Sequence, residues 1–158
     1  MQSRGVSTLA RPVALLAAAA LVACACLWYL VRPPRTVGEY RQEAHQTLAS
    51  LASEVATARM WADHLDRGDA PLTTTRLGLA EMESDATEAV RQFEAYQPPV
   101  GAASVRARVS GLGGRSVAAL AQLRIAARSG RPEEVVRRGR DLRGLSRDLE
   151  AATRAVAP

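Results

Sequence analysis

Only two imidazoles are present, His45 and His64. Metal-binding helical bundles set a Glu-x-x-His pair on facing helices, so that carboxylate and ring lie one turn apart. Gln42 and Trp61 occupy the corresponding positions here, and the two rings point about 100° apart on a helix. No metal site is assigned. Glu81, Glu83, Asp85 and Glu88 form the densest acidic cluster, but on a helix they point in several directions, as a solvated face does. No serine lies in a Gly-x-Ser-x-Gly context or beside a suitable base. Ser110-Gly111-Leu112-Gly113-Gly114 has the glycine content of a phosphate loop, yet it follows no strand pattern and lacks the lysine such loops use. Its glycines are expected to kink a helix or to admit a close neighbour. Arg67-Gly68-Asp69 matches an adhesion tripeptide but falls where a turn between helices is needed. No catalytic residue and no cofactor site follow, and an enzyme is not expected.

Charge is more informative. All 21 basic residues are arginine, and the net charge of +5 is unevenly spread. Residues 1–35 carry +4, 36–97 carry −6, 98–132 carry +6, and 133–158 carry +1. Arg106, Arg124, Arg128 and Arg131 fall on one flank of the third apolar stripe, and Arg108 and Arg115 on the other. Charges flanking a seam meet neighbouring helices, so pairing with the acids of the first two segments is one expectation. The other is a basic surface centred on Arg124, Arg128, Arg131, Arg137 and Arg138. It would face an acidic protein, an anionic envelope polymer or anionic lipid. Nucleic acid is not an expected partner, because the basic excess lies in one segment and in the flanks of an apolar run.

That apolar run covers residues 13–31 and is uncharged throughout. At about 1.5 Å per residue it extends roughly 28 Å as a helix, close to the hydrocarbon thickness of a bilayer. Trp28 and Tyr29 stand near its end, where such rings favour the headgroup region, followed by Arg32 and a Pro33-Pro34 stop. Both cysteines of the chain, Cys24 and Cys26, lie inside it, so residues 36–158 hold no disulfide, thiol nucleophile or thiolate metal site. Leu21-Val22-Ala23-Cys24 resembles the bacterial lipobox, which implies lipidation at Cys24. The residues after it, Ala25 to Val31, remain apolar where mature lipoproteins begin polar. The reading adopted is a retained transmembrane helix. Lipid attachment at Cys24, or cleavage after Ala25 as in a signal peptide, is the alternative. Arg4 and Arg11 on one side balance Arg32, Arg35 and Arg41 on the other, so orientation rests on the signal-like build of the segment: the C-terminal part outside.

Residues 36–158 must supply the scaffold. They are rich in Ala, Leu, Arg and Glu, which cost a helix least, and show no sustained period-2 alternation. Turn signals at 67–71, 97–101 and 129–132 divide them into helices expected at about 37–67, 70–96, 101–129 and 132–156. Each carries apolar residues spaced by three and four. The stripes are anchored by Tyr40, Leu48, Leu51 and Val55, by Leu79, Ala86 and Phe93, by Val109, Ser116 and Leu123, and by Leu142, Leu145 and Leu149. Asp69 or a nearby threonine is the expected cap of the second helix, and Glu133 and Glu134 favour the start of the fourth. Short connections imply antiparallel neighbours. The expected fold is all-α: a transmembrane or signal helix followed by an up-down-up-down four-helix bundle.

The functional expectation is a single-pass protein of a bacterial cytoplasmic membrane with its bundle outside, acting as a non-enzymatic interaction or structural module at the cell envelope. A sensory or ligand-binding bundle signalling to a membrane partner is the alternative.

Overall fold

The structure, a computed structural model, describes residues 36–157. The apolar run at 13–31, with Cys24, Trp28, Tyr29 and Arg32, lies outside the described residues. Within them the chain is all-helical: α1 (Val37–Arg67), α2 (Leu72–Glu94), α3 (Ala103–Arg128) and α4 (Pro132–Val156), with no strand. No helix among the described residues is long and apolar enough to cross a membrane.

Local chemistry sets the helix ends. Thr36 caps α1 through its hydroxyl, which accepts from the Glu39 amide at 3.1 Å, while the Thr36 amide donates to Glu39 Oε2 at 3.0 Å. This reciprocal box satisfies two amide donors at once. At the other end Gly68 adopts φ 76°, its amide reaches the Leu65 carbonyl (3.2 Å), and the Asp69 amide reaches the His64 carbonyl (2.9 Å). Gly130 (φ 68°) ends α3 in the same way, with Gly130 bonded to the Ala127 carbonyl and Arg131 to that of Ala126. Both are left-handed glycine stops, which a Cβ would strain. The expected Asp69 cap of α2 is not formed. Pro71 stands at the N-cap and makes no side-chain cap bond. Asp69 is drawn back to α1, where Arg67 Nε donates to its carboxylate at 2.7 Å. Glu133 and Glu134 do occupy the first turn of α4, behind Pro132.

The four helices form a bundle. Each packs on its chain neighbours, α1 also packs on α4, and α1 meets α3 across the diagonal. Matched residues run in opposite directions along neighbours. Phe93 meets Tyr40 and Gly78 meets Trp61 across α1 and α2, while Gly113 meets Val90 and Arg124 meets Glu83 across α2 and α3. The core is continuous and comes mainly from the 3/4 stripes. Tyr40, Leu48, Leu51 and Val55 of α1 are fully buried, as are Leu79 of α2, Leu120 and Leu123 of α3, and Leu149 of α4. Burial at this level contributes roughly 1.5–3 kcal/mol per large apolar side chain.

Small residues decide how close the helices come. A Cβ on Gly78 would lie 2.5 Å from the Trp61 indole nitrogen, one on Gly113 would lie 2.7 Å from a Val90 methyl carbon, and one on Gly139 would overlap the Ala62 methyl. The glycine-rich stretch 110–114 therefore neither splits nor ends α3, which runs unbroken through it. Gly113 admits the close neighbour, and the helix tolerates the conformational cost of about 1 kcal/mol per glycine.

One polar group is buried at the end of the bundle that carries Thr36. Tyr40 lies against Phe93 with ring centroids 5.2 Å apart, and its hydroxyl has no hydrogen-bond partner among the described residues. Burial raises the phenol above its usual pKa, and the positive charge of Arg106 partly opposes that. The Arg106 N–H groups are directed instead at the Tyr96 and Glu94 carbonyl oxygens, at 3.0 and 3.5 Å, and close the end of α2. Removing the hydroxyl alone is therefore expected to do no harm. Tyr40→Phe should leave the thermal midpoint unchanged or raise it, whereas Tyr40→Ala should lower stability by about 3–5 kcal/mol in denaturant titrations.

Candidate interaction surface

The five arginines of the expected basic surface lie at the C-terminal end of α3, in the turn after it, and in the first two turns of α4. This is the end of the bundle that also carries the C-terminus of α1, because Arg140 Nη2 bonds Asp66 Oδ2 at 2.8 Å and Gly139 packs on Ala62. α1 has 31 residues. At about 1.5 Å rise per residue the surface stands roughly 45 Å from Thr36 along the helix axis.

The five divide by what they touch. Arg124 turns toward α2 and grips Glu83 with both its Nε and Nη2, the latter at 3.2 Å. Their side chains are 29% and 19% exposed, so this is the most shielded ion pair that crosses between helices. The Glu83 carboxylate raises the Arg124 pKa further above its usual value. Arg131, Arg137 and Arg138 instead converge on one carboxylate, Glu134, at 2.8, 3.7 and 2.7 Å. Glu134 is 17% exposed, and its pKa is lowered, first by the hydrogen bond from Arg138 and then by the charges of Arg131, Arg138 and Arg137. Three guanidinium groups thus surround one anion. Arg128, exposed beside them, has no ion-pair partner among the described residues. A surface cavity of about 480 Å³ opens between Gly130, Arg131, Glu133, Glu134 and Arg137. The excess positive charge faces solvent, and charge-assisted bonds from a guanidinium fork suit carboxylate or phosphate oxygens.

The other groups that could do chemistry are dispersed. His64 Nδ1 accepts from Arg67 Nη2 at 3.1 Å beside Asp69, so it belongs to the turn after α1, and His45 lies on the same helix far from it. The charges of Arg67 and Asp69 pair with each other across Gly68, which leaves that tripeptide as the turn itself. Among the described residues no group of three or more His, Cys, Asp and Glu side chains is placed to hold a metal ion. The acidic cluster separates: Glu83 is taken by Arg124, while Glu88 is held by Arg91 and Gln92, which bring its pKa down to about 2. Within α4 Glu134 pairs with Arg138 one turn further on, and Arg137 also turns to Glu134.

Glu81 and Asp85 have a different neighbour, Glu54 of α1. Burial raises the Glu54 pKa, and the charges of Asp85 and Glu81 raise it further. No spacing in the sequence marks Glu54, since the three come together only when α1 and α2 pack. A raised carboxyl pKa means the folded state holds the proton more tightly, so the stability linked to Glu54 is present at low pH and declines as pH rises through the folded pKa. Glu54→Gln should therefore raise the thermal midpoint at pH 7. The gain should vanish well below pH 4.5, the ordinary glutamate value, where the carboxyl is protonated in both states.

No protein-family model matches this chain, and no curated protein or solved structure matches it significantly.

Proposed function

We propose that this chain is a membrane-tethered helical-bundle protein that acts as a non-enzymatic interaction module outside a bacterial cytoplasmic membrane, with residues 13–31 as its anchor. The bundle presents Arg128, Arg131, Arg137 and Arg138 to an anionic partner, an acidic protein or an envelope polymer. The observation that carries this reading is the gathering of three guanidinium groups on a single carboxylate at one end of the bundle, where Arg128 is exposed and has no ion-pair partner among the described residues. Arg124 is left out of the contact set, because its partner Glu83 lies on another helix, whereas Arg131, Arg137 and Arg138 share one carboxylate within the surface and leave it with excess positive charge. The surface lies at the end of the bundle remote from Thr36.

Cross-linking in intact cells tests the surface. Arg128→Glu, Arg131→Glu and Arg137→Glu combined should cut capture of the partner at least about tenfold with helicity unchanged, as expected when rim charges steer association. Arg124→Ala should instead lower the thermal midpoint. Undiminished capture by the triple variant rejects the surface. Intact mass and fatty-acid labelling, with Cys24→Ser as control, test the anchor. A full-length, unlabelled membrane protein is the expected result, and a lipid adduct lost in Cys24→Ser would replace the transmembrane reading with a lipid anchor.

A further inference from the structure

The α3–α4 side of the bundle carries glycines that internal packing does not require. A Cβ on Gly111, Gly114 or Gly144 would meet nothing within 4 Å, in contrast to Gly78, Gly113 and Gly139. Gly111 and Gly144 line two adjoining surface cavities of about 530 and 450 Å³, which share Arg115 and Asp148 and so make one groove along the seam. Its walls are smooth, with Ala107 and Ala118 on α3 and Ala151 on α4, and Leu112, Leu142 and Leu145 underlie it. The rims carry opposite charges. Arg108 and Arg115 stand two turns apart on α3, and Asp141 and Asp148 two turns apart on α4. Arg138, at the end of the groove, is held by Glu134.

We propose that this groove is the interface of a symmetric homodimer, in which α3 of each copy packs over α4 of the other. A two-fold interface must be self-complementary, each patch meeting its own copy. The charges select the axis. A two-fold lying across the helices at the level of Arg115 and Asp148 would set like charge against like. A two-fold running along the groove sets Arg115 of one copy against Asp148 of the other, twice. The 2.9 Å bond that joins Arg115 to Asp148 within one copy shows that the two side chains share a level on the antiparallel helices, as that exchange requires. The small residues on both walls let the paired helices approach closely.

Sedimentation of the full chain in detergent micelles tests this. The wild type should sediment as a dimer. Gly144→Arg and Ala118→Arg place bulk on different helices at positions open to solvent, and each should give a monomer with unchanged helicity; if one misfolds, the other decides. Arg115→Asp should weaken the dimer at least about tenfold, and Arg115→Asp combined with Asp148→Arg should restore it. A monomeric wild type overturns the proposal. So does a dimer that withstands the blocking substitutions, since that dimer would use another surface, or a charge swap that fails to restore association.

Discussion

The closeness of the helices rests on three side chains that are missing. Gly78, Gly113 and Gly139 lie where α2 meets α1, where α3 meets α2 and where α4 meets α1, and at each the neighbour occupies the space a Cβ would need. The three differ in how much can yield. At Gly139 the obstacle is the Ala62 methyl, which has no rotamer to escape into, so the backbones themselves would have to part. At Gly78 it is the Trp61 ring, fixed by its packing on the core. At Gly113 it is a Val90 methyl carbon, which a rotation about one bond can move. Dispersion is lost steeply when packed surfaces separate by even half an ångström to one ångström. The alanine-rich layers of Ala44, Ala58, Ala62, Ala86 and Ala126 therefore stabilise the bundle only because these glycines allow the axes to approach.

Polar interactions then fix which side of each helix faces which neighbour. Among the described residues three ion pairs join different helices: Arg124 to Glu83 across α3 and α2, Arg115 to Asp148 across α3 and α4, and Arg140 to Asp66 across α4 and α1. Arg115–Asp148 and Arg140–Asp66 are solvent-exposed, and such pairs contribute about 0–1 kcal/mol each. Their value lies in register, because a like-charge encounter at the same positions would disfavour a slipped packing. Arg124–Glu83 is more shielded and correspondingly less free to serve an outside partner. Among the described residues, Arg124–Glu83 is also the ion pair that joins the negative segment 36–97 to the positive segment 98–132.

Much of the fold was legible in the sequence, and the reasons are specific. The 3/4 stripes named Tyr40, Leu51, Leu79, Val109, Leu123 and Leu149 because burial of large apolar side chains leaves a periodic trace. Gly68 and Gly130 marked turns because few other residues adopt their backbone angles. Gly78 carries no such trace, since a residue that matters by its absence of side chain looks the same whether it faces the core or solvent, while Gly139 falls on the fourth apolar stripe between Val135 and Leu142, which marks the seam but not the contact with Ala62. Gly113 and Gly114 are adjacent in sequence, yet one abuts Val90 and the other faces open space. The basic surface was legible as a composition and not as a set of contacts. One helical flank held Arg124, Arg128 and Arg131, but only packing gave Arg124 to α2, and only the local turn gathered Arg131, Arg137 and Arg138 on Glu134. Glu54 illustrates the same limit, because its neighbours Glu81 and Asp85 come from another helix.

Because alanine is the better helix former by about 1 kcal/mol, each glycine must be retained against its own propensity if close approach is what it supplies. The most direct measurement is the unfolding free energy of four single variants: Gly78→Ala, Gly113→Ala, Gly139→Ala and, as reference, Gly114→Ala. The account predicts that Gly114→Ala gains stability, that Gly113→Ala is near neutral, and that Gly78→Ala and Gly139→Ala lose about 1–3 kcal/mol, with Gly139→Ala the worst. A uniform gain at all four positions would contradict it.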